Sequence, residues 1–421
     1  MVAACSCING RSRGSDRVFS KYAIGREWSH LANESFDAVV VGAGVNGAAS
    51  AYHLVKKGLS NVLVVDKGVL AGGPTGASSA VVRQHYGHEV TARMAMDSLK
   101  FFQNFEELTG GHADFKTCGV VVVGSEDKLE TVRQVVEMQQ RIGINTGMVD
   151  REEILELEPD MFMEDIGGGA WEPGAGYADP VATTSGLMAS ALAGGAQAWY
   201  DTAITELLIE RGAVAGVATT RGSILTDKLV IAAGPWTPAL ACSIGVDVPI
   251  RASRHPVLVF QHPSRRRPQH IIFDLNQIMY SRPEGADMTL VGTLDIAHSQ
   301  DDADPDNFER QPSLDEIAEW GQMLMTRFPE YADVETRAGW CGIYEYSPDW
   351  HHVIDELPTA RGCWIVCGTS GHGFKLGPAV GDIVSDLALG REPRYAVEDF
   401  SLARFSSGEP IANRYAETII G

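Results

Sequence analysis

Residues 370–379 read SGHGFKLGPA and set Lys375 just inside the start of an apolar helix, behind Gly368, Gly371, Gly373 and the intervening His372. The N-terminus of a helix already carries partial positive charge on its unpaired N–H groups. A cation there is unfavourable unless something anionic arrives, so Lys375 reads as half of a binding site. The neighbouring His372 has two readings, a base that deprotonates an amine or a ring packed near a cofactor. A second constellation stands at the other end of the chain. Gly42, Gly44 and Gly47 form GxGxxG, and Asp66 follows about twenty residues later. The first glycine permits a tight turn, the second lets backbone approach a pyrophosphate, the third lets helix and strand pack closely, and the carboxylate accepts ribose hydroxyls.

The elements around these residues fit that chemistry. In FDAVVVGAGVNGAASAYHLVKKGLSNVLVVDKG, Ala38 to Val41 reads as a buried strand, Ala48 to Lys57 as a helix and Asn61 to Val65 as a second strand. That is a βαβ unit. It sits near the N-terminus and is followed by a long mixed region rather than by further βα repeats, which points to FAD more than to NAD. Residues 204–236 read as short strands with turns at Arg211-Gly212 and Arg221-Gly222, then a buried strand Lys228 to Ala233. Cys363 to Cys367 is a further buried strand, leading into a helix from about Phe374 to Leu389 that stops at Gly390. The cofactor domain is therefore expected to be discontinuous: 36–115, 161–244 and 341–395. Residues 116–160 and 245–340, with the Pro/Arg-rich loop HPSRRRPQH and the acidic loop DIAHSQDDADPDNFE, are assigned to a substrate domain. Residues 1–35 are expected to be an extension and 396–421 a C-terminal tail.

The chain has 421 residues and a net charge of −21, which argues against nucleic acid or an anionic membrane surface as a partner and requires a local basic pocket for any anionic substrate. No apolar run approaches the length of a transmembrane helix. The seven cysteines, 5, 7, 118, 242, 341, 363 and 367, are odd in number and scattered, which fits a reducing compartment and offers no zinc spacing. The expected location is the cytoplasm. The Arg and Ser of the first 35 residues leave a mitochondrial transit peptide as the alternative, weakened by Asp16 and Glu27.

Four stretches together, VVVGAGVNGAASAYHL, GPTGASSAVVRQHYG, VIAAGPW, and WCGIYEYSPDWHHVID followed by GTSGHGFKLGPAVGD, resemble the D-amino-acid oxidase superfamily of flavoproteins, and most of all its sarcosine oxidase and dimethylglycine dehydrogenase branch. The resemblance spans roughly residues 36–395. It implies an α/β fold, with a Rossmann-like FAD-binding domain and an α+β substrate domain built on a large mixed or antiparallel sheet. It also implies that Lys375 and Arg83 clamp the substrate carboxylate and that Tyr344 shapes the site. Arg83 has two other readings, a surface cation or a contact to FAD phosphate, and Lys375 is also placed to stabilise a reduced, anionic flavin. The cofactor contacts expected from these stretches are Gly42, Gly44, Val45, Asn46, Gly47, Asp66, Lys67, Thr75, Ser79, Gly234, Gly342, Gly371, Gly373, Phe374 and Lys375.

The departures from the family pattern carry information too. Monomeric sarcosine oxidases hold FAD covalently on a cysteine at the position of Gly342; Cys341 is one residue away and on a strand faces the other side. Dimethylglycine dehydrogenases use a histidine close after the dinucleotide motif, and GGPTGASS offers none. Noncovalent FAD is the expectation. The strand MTLVG, residues 288–292, lacks the lysine that promotes reaction with oxygen in the sarcosine oxidases, and Thr293 and Leu294 stand near the place of their histidine.

The implied reaction removes a hydride equivalent from the carbon next to an amine nitrogen to flavin N5, giving an imine that water hydrolyses, with oxygen or an electron carrier taking the electrons. The substrate is a small anionic amino acid or N-methyl amino acid. Two rivals remain open: oxidation of a D-amino acid or proline by the same clamp, and a noncatalytic FAD-binding assembly factor or subunit. A homo- or hetero-oligomer is compatible with all three.

Overall fold

The computed structural model describes residues 32–261, 267–299, 302–415 and 418. Cys5, Cys7, the compartment signals of the first 31 residues, residues 262–266 of the Pro/Arg-rich loop and residues 300–301 of the acidic loop lie outside the described residues.

A six-stranded sheet runs in the order Gln197–Trp199, Val62–Val65, Ala38–Val41, Leu229–Ile231, Cys363–Cys367, Val353–Glu356. The first five strands are parallel and the last is antiparallel. Its central strands are continuous apolar runs such as AVVV and VLVV, buried on both faces, as expected where helices cover a parallel sheet. The helix after the glycine turn spans Val45–Lys56, three residues earlier than the apolar spacing suggested, because Gly44 already serves as its N-cap. It crosses the helix Gly373–Ala388 at close range. A Cβ on Gly381 would come within 2.5 Å of the Ala49 carbonyl carbon, and one on Gly377 within 2.7 Å of Val45 Cγ2. Small residues at the crossing thus let two helices of sequence-distant origin share one face of the sheet.

An eight-stranded mixed sheet forms the second layer, in the order Glu335–Tyr346, Arg251–Gln261, Met288–Thr293, Met279–Glu284, Ile271–Asp274, Val120–Gly124, Gly168–Glu172, Gly147–Val149. All its pairings are antiparallel except that of Ile271–Asp274 with Val120–Gly124. Two of the expected boundaries move. Gly168–Glu172 lies in this sheet and not with the cofactor segment 161–244, since it completes the ladder of Val120–Gly124. Glu335–Tyr346 runs unbroken across the boundary at 341, paired along most of Arg251–Gln261.

Both chain ends are more structured than expected. Ala32–Ser35 pairs in parallel with Gly222–Leu225 at the edge of a four-stranded sheet, so the extension joins the fold by residue 32. Residues 396–415, expected as part of a C-terminal tail, pack on the body of the fold. Arg404, 4% exposed, makes a bidentate ion pair with Asp349, Nε to Oδ2 at 2.7 Å and Nη2 to Oδ1 at 2.9 Å. Ile411 N donates to Asp349 Oδ2 at 3.0 Å, and the buried Tyr415 hydroxyl lies 2.6 Å from His85 Nε2. No described helix is long and apolar enough to cross a membrane.

Candidate active site

A cavity of about 520 Å³ runs between the two main sheets, from the carboxyl ends of the parallel strands to the end of Glu335–Tyr346. This is where an open α/β sheet binds its ligands. At one end lie Gly42, Gly44, Val45, Asn46, Asp66 and Thr75. The glycine turn has no room for side chains. Gly42 has φ +107°, and a Cβ on it would come 2.3 Å from Ala232 O; one on Gly47 would come 1.9 Å from Gly42 O. Gly47 therefore packs beneath the turn and not on the cavity wall. Asp66 ends its strand and braces the turn, accepting the N–H of Ala43 through Oδ2 and of Gly68 through Oδ1, each at 2.7 Å. Thr75 Oγ1 accepts the N–H of Val45 at 3.1 Å, partly capping the helix from a distant loop. Lys67 stands at the rim, 2.5 Å from Asp306 and 3.9 Å from the centre of the Trp236 ring, with the indole N–H on the same carboxylate at 3.1 Å.

The far end is lined by Ser79, His255, Gly342, Tyr344, Gly371, Gly373 and Phe374, with Gly234 between the ends. Tyr344 stacks on His255 with ring centres 3.8 Å apart. Its hydroxyl is tied to that of Tyr280, and burial first, then that neighbour, pushes it well above the ordinary tyrosine value. A Cβ on Gly371 would meet the Tyr344 ring at 2.7 Å, so this glycine lets the turn before the helix press against the aromatic. Gly342 faces Ala77, whereas Cys341 points the other way, towards Arg254, its thiol raised to about 11 by burial.

Arg83, Lys375 and His372 lie just behind this end rather than on its surface. Arg83 is 2% exposed, donates from Nη1 to His85 O, and sits over the rings of Tyr86 and Phe273 at 4.2 and 5.0 Å. Burial excludes the surface-cation reading. Lys375 is also buried, its side chain turned back towards the helix start so that Nζ donates to Gly371 O at 3.1 Å. Desolvation, then the charge of Arg83, holds its ammonium well below the ordinary lysine value. Glu172, buried in the same region, accepts the N–H of Gln84 at 2.9 Å and feels the charge of Arg83. His372 caps the helix and packs edge-on against Tyr86, ring centres 5.2 Å apart.

Several cavity residues escaped the sequence reading, among them His255, Trp236 and Glu345. His255 comes from the strand next to Glu335–Tyr346, and Trp236 follows Gly234 in GPW. Glu345 is 5% exposed, with burial raising its carboxyl to about 7 against the hydrogen bonds of Thr369 and Gly368. The only available signal was a carboxylate in the otherwise aromatic run IYEY.

The site fits FAD. Its volume falls within the range of cofactor pockets, the glycine cradle admits backbone contact with a pyrophosphate, and two buried atoms that face the cavity, Asn46 Oδ1 and Glu345 Oε2, have no partner among the described residues.

Comparison with known proteins agrees. The chain is 26% identical over 401 residues to sarcosine oxidase subunit beta of Arthrobacter sp, covering 92% of this chain and 95% of that protein. It is 27% identical over 381 residues to monomeric sarcosine oxidase of Bacillus sp. (strain B-0618), covering 88% and 96%. It spans only 45% of 4-methylaminobutanoate oxidase (formaldehyde-forming) of Paenarthrobacter nicotinovorans, at 26% identity over 383 residues and 87% of this chain. Among solved structures, L-proline dehydrogenase from P. horikoshii superposes with a TM-score of 0.82 at 25% identity, over 90% of this chain and all of that one. The family model for FAD dependent oxidoreductases, DAO, matches residues 37–387, and the chain belongs to that family.

Proposed function

We propose that this flavoprotein oxidises the C–N bond of a small amino acid or N-methyl amino acid whose carboxylate is held by Arg83 and Lys375. The observation that carries the reading is the pair of cations buried together behind the flavin end of the cavity. A bound carboxylate would favour both charged forms here, where desolvation and then the charge of Arg83 already lower the affinity of Lys375 for its proton. Arg83 offers a planar fork and Lys375 a second donor to one carboxylate. Bound FAD would supply the two-electron acceptor for the carbon next to nitrogen. Tyr344 lines the cavity with Tyr280 bonded to it, Tyr86 and Phe273 cover the Arg83 guanidinium, and Lys375 is tied to the turn at Gly371. His372, packed on Tyr86, positions that ring in our reading and does not act as the base. Gly342 has no nucleophile and Cys341 faces away, which supports noncovalent FAD. The names of the relatives, sarcosine oxidase, 4-methylaminobutanoate oxidase and L-proline dehydrogenase, support the substrate class and leave oxygen and a carrier both open as acceptor. The subunit naming of one relative supports an oligomer.

Anaerobic titration of the purified holoprotein with sarcosine, dimethylglycine, L-proline, glycine and D-alanine tests the proposal. Loss of the oxidised flavin absorbance is expected with at least one of them, followed by its return on admitting air or an artificial acceptor. Unchanged absorbance with all five would remove the enzymatic reading and favour the noncatalytic one.

A further inference from the structure

The cavity wall contains a carboxyl group that the amino-acid reaction does not use. Successive residues of a strand face opposite ways. At the end of Glu335–Tyr346, Tyr344 turns to the large sheet, against His255 and Tyr280, while Glu345 turns to the parallel sheet, against Thr369 and Gly234. Both line the cavity, because this strand end runs through its wall. Glu345 Oε2 lies 3.9 Å from where a Cβ on Gly234 would stand. Gly234 follows Ala232 and Ala233, the backbone that abuts Gly42 of the glycine turn. Glu345 is therefore placed between the two ends of the site, where the chain joining the nucleotide to the flavin ring must pass. The group is more than nine-tenths buried, and Oε2 has no hydrogen-bond partner among the described residues.

We propose that Glu345 holds FAD as a neutral carboxylic acid, donating its O–H to an oxygen of the cofactor's ribityl-diphosphate linker. The diphosphate is anionic, so an ionised carboxylate buried beside it would repel the ligand, whereas the acid form supplies a donor to its phosphoryl oxygens, which can only accept; the ribityl hydroxyls pair with either form. The surroundings hold the proton. Burial raises the carboxyl to about 7, opposed only by hydrogen bonds from the Thr369 side chain and the backbone at Thr369 and Gly368. The elements packed on Glu345 bring little charge to it. The strand Cys363–Cys367 contributes Cys367, whose thiol burial pushes well above the ordinary value. The Gly234–Trp236 turn contributes no titratable group. Arg251 on the neighbouring strand pairs with Asp302 at 2.5 Å, half-exposed and away from the cavity. His255, Arg83 and Lys375 stand on the Tyr344 side or behind it.

The test is FAD binding to the deflavinated protein, followed by quenching of flavin fluorescence from pH 5.5 to 8.5. It depends on the cofactor alone and not on the substrate proposed above. For the wild type, Kd is expected to rise about tenfold per pH unit above the carboxyl's own value. Glu345→Gln keeps a donor without a charge, and its Kd is expected to stay within a fewfold of the low-pH wild-type value at every pH. Glu345→Ala is expected to bind about tenfold more weakly throughout and without slope. A flat wild-type profile, or a Glu345→Gln profile with the wild-type slope, would overturn the assignment. Because the wild-type profile needs no substitution, the proposal remains open to refutation even if neither variant folds.

Discussion

Lys375 and Arg83 share one buried region, where the guanidinium disfavours the ammonium and Glu172 is a nearby protein carboxyl. Desolvation first, then the charge of Arg83, drives Lys375 towards the neutral amine. A carboxylate bound between them reverses the balance and raises the lysine again. Where the two lysine values, free and complexed, bracket the working pH, binding must take up protons, and affinity must fall as pH rises through that window. Calorimetric titration with acetate, a carboxylate that cannot be oxidised at nitrogen, in buffers of different ionisation enthalpy reads this directly. Wild type is expected to show proton uptake and Lys375→Met none, with binding weakened about 10- to 100-fold as one charged hydrogen bond is lost. Wild-type binding with no net proton change would refute the coupled pair. The chain's net charge of −21 sharpens the point, because the far field repels the anion and the attraction has to come from these buried groups, which solvent ions screen little.

The two helices that carry the site depend on glycine for their mutual approach. Val45–Lys56 presents the nucleotide end and Gly373–Ala388 presents Phe374 and Lys375, and they meet where Gly381 touches the Ala49 backbone. A methyl group at 381 cannot be accommodated by rotating a side chain, since Ala49 offers backbone atoms at 2.5 and 2.7 Å. Gly381→Ala is expected to push the helices apart, costing about 1–3 kcal/mol and loosening both ends of the cavity. Flavin content of the purified protein and its urea midpoint should both drop, although residue 381 lines no part of the site. Wild-type values of both would show that the crossing is not tight. This crossing marks the limit of what the sequence discloses. The βαβ unit, the strand Cys363–Cys367 and the helix that follows were legible because their patterns are short-range: apolar runs, a glycine turn, a strand of fixed period. The partners of Glu335–Tyr346 were not, because its register against Arg251–Gln261 is set by pairings from Gln261 with Glu335 to Arg251 with Tyr346, far apart in sequence. Nor did alternation along IYEY show that both Tyr344 and Glu345 would reach one cavity, since that follows from where the strand ends relative to the second sheet.

At the level of the whole molecule, residues 396–415, expected as part of a C-terminal tail, pack on the body of the fold. Asp349 sits in the SPDWHH loop, next in sequence to the strand that lines the cavity, and Arg404, Ile411 and Ser347 all converge on its carboxylate. Burial opposes the charge on Asp349, but the hydrogen bonds and charge of Arg404 outweigh it and hold the carboxyl below the ordinary aspartate value. A depressed carboxyl stabilises the fold above its unfolded-state value, and that stability is lost as pH falls through the folded one, so this clasp contributes fully at neutral pH and fails on the acid side. Arg404→Met leaves a buried carboxylate without its countercharge and is expected to cost about 3–5 kcal/mol at pH 7. The cost should shrink as pH falls through the depressed folded value of Asp349, where the wild type loses the same interaction. Asp349→Asn combined with Arg404→Met removes both charges and is expected to be less destabilising than the sum of the single changes. Urea unfolding of the four proteins with saturating FAD at pH 7 and at a series of acid pH values descending below the ordinary aspartate value measures all of this. Strict additivity at pH 7 would show that the two residues act independently and that the segment is held by its apolar contacts instead. Flavin retention in the same samples separates the two consequences: a clasp that only joins the chain end to the body lowers the midpoint alone, whereas one that also fixes the strand end bearing Tyr344 and Glu345 lowers both together.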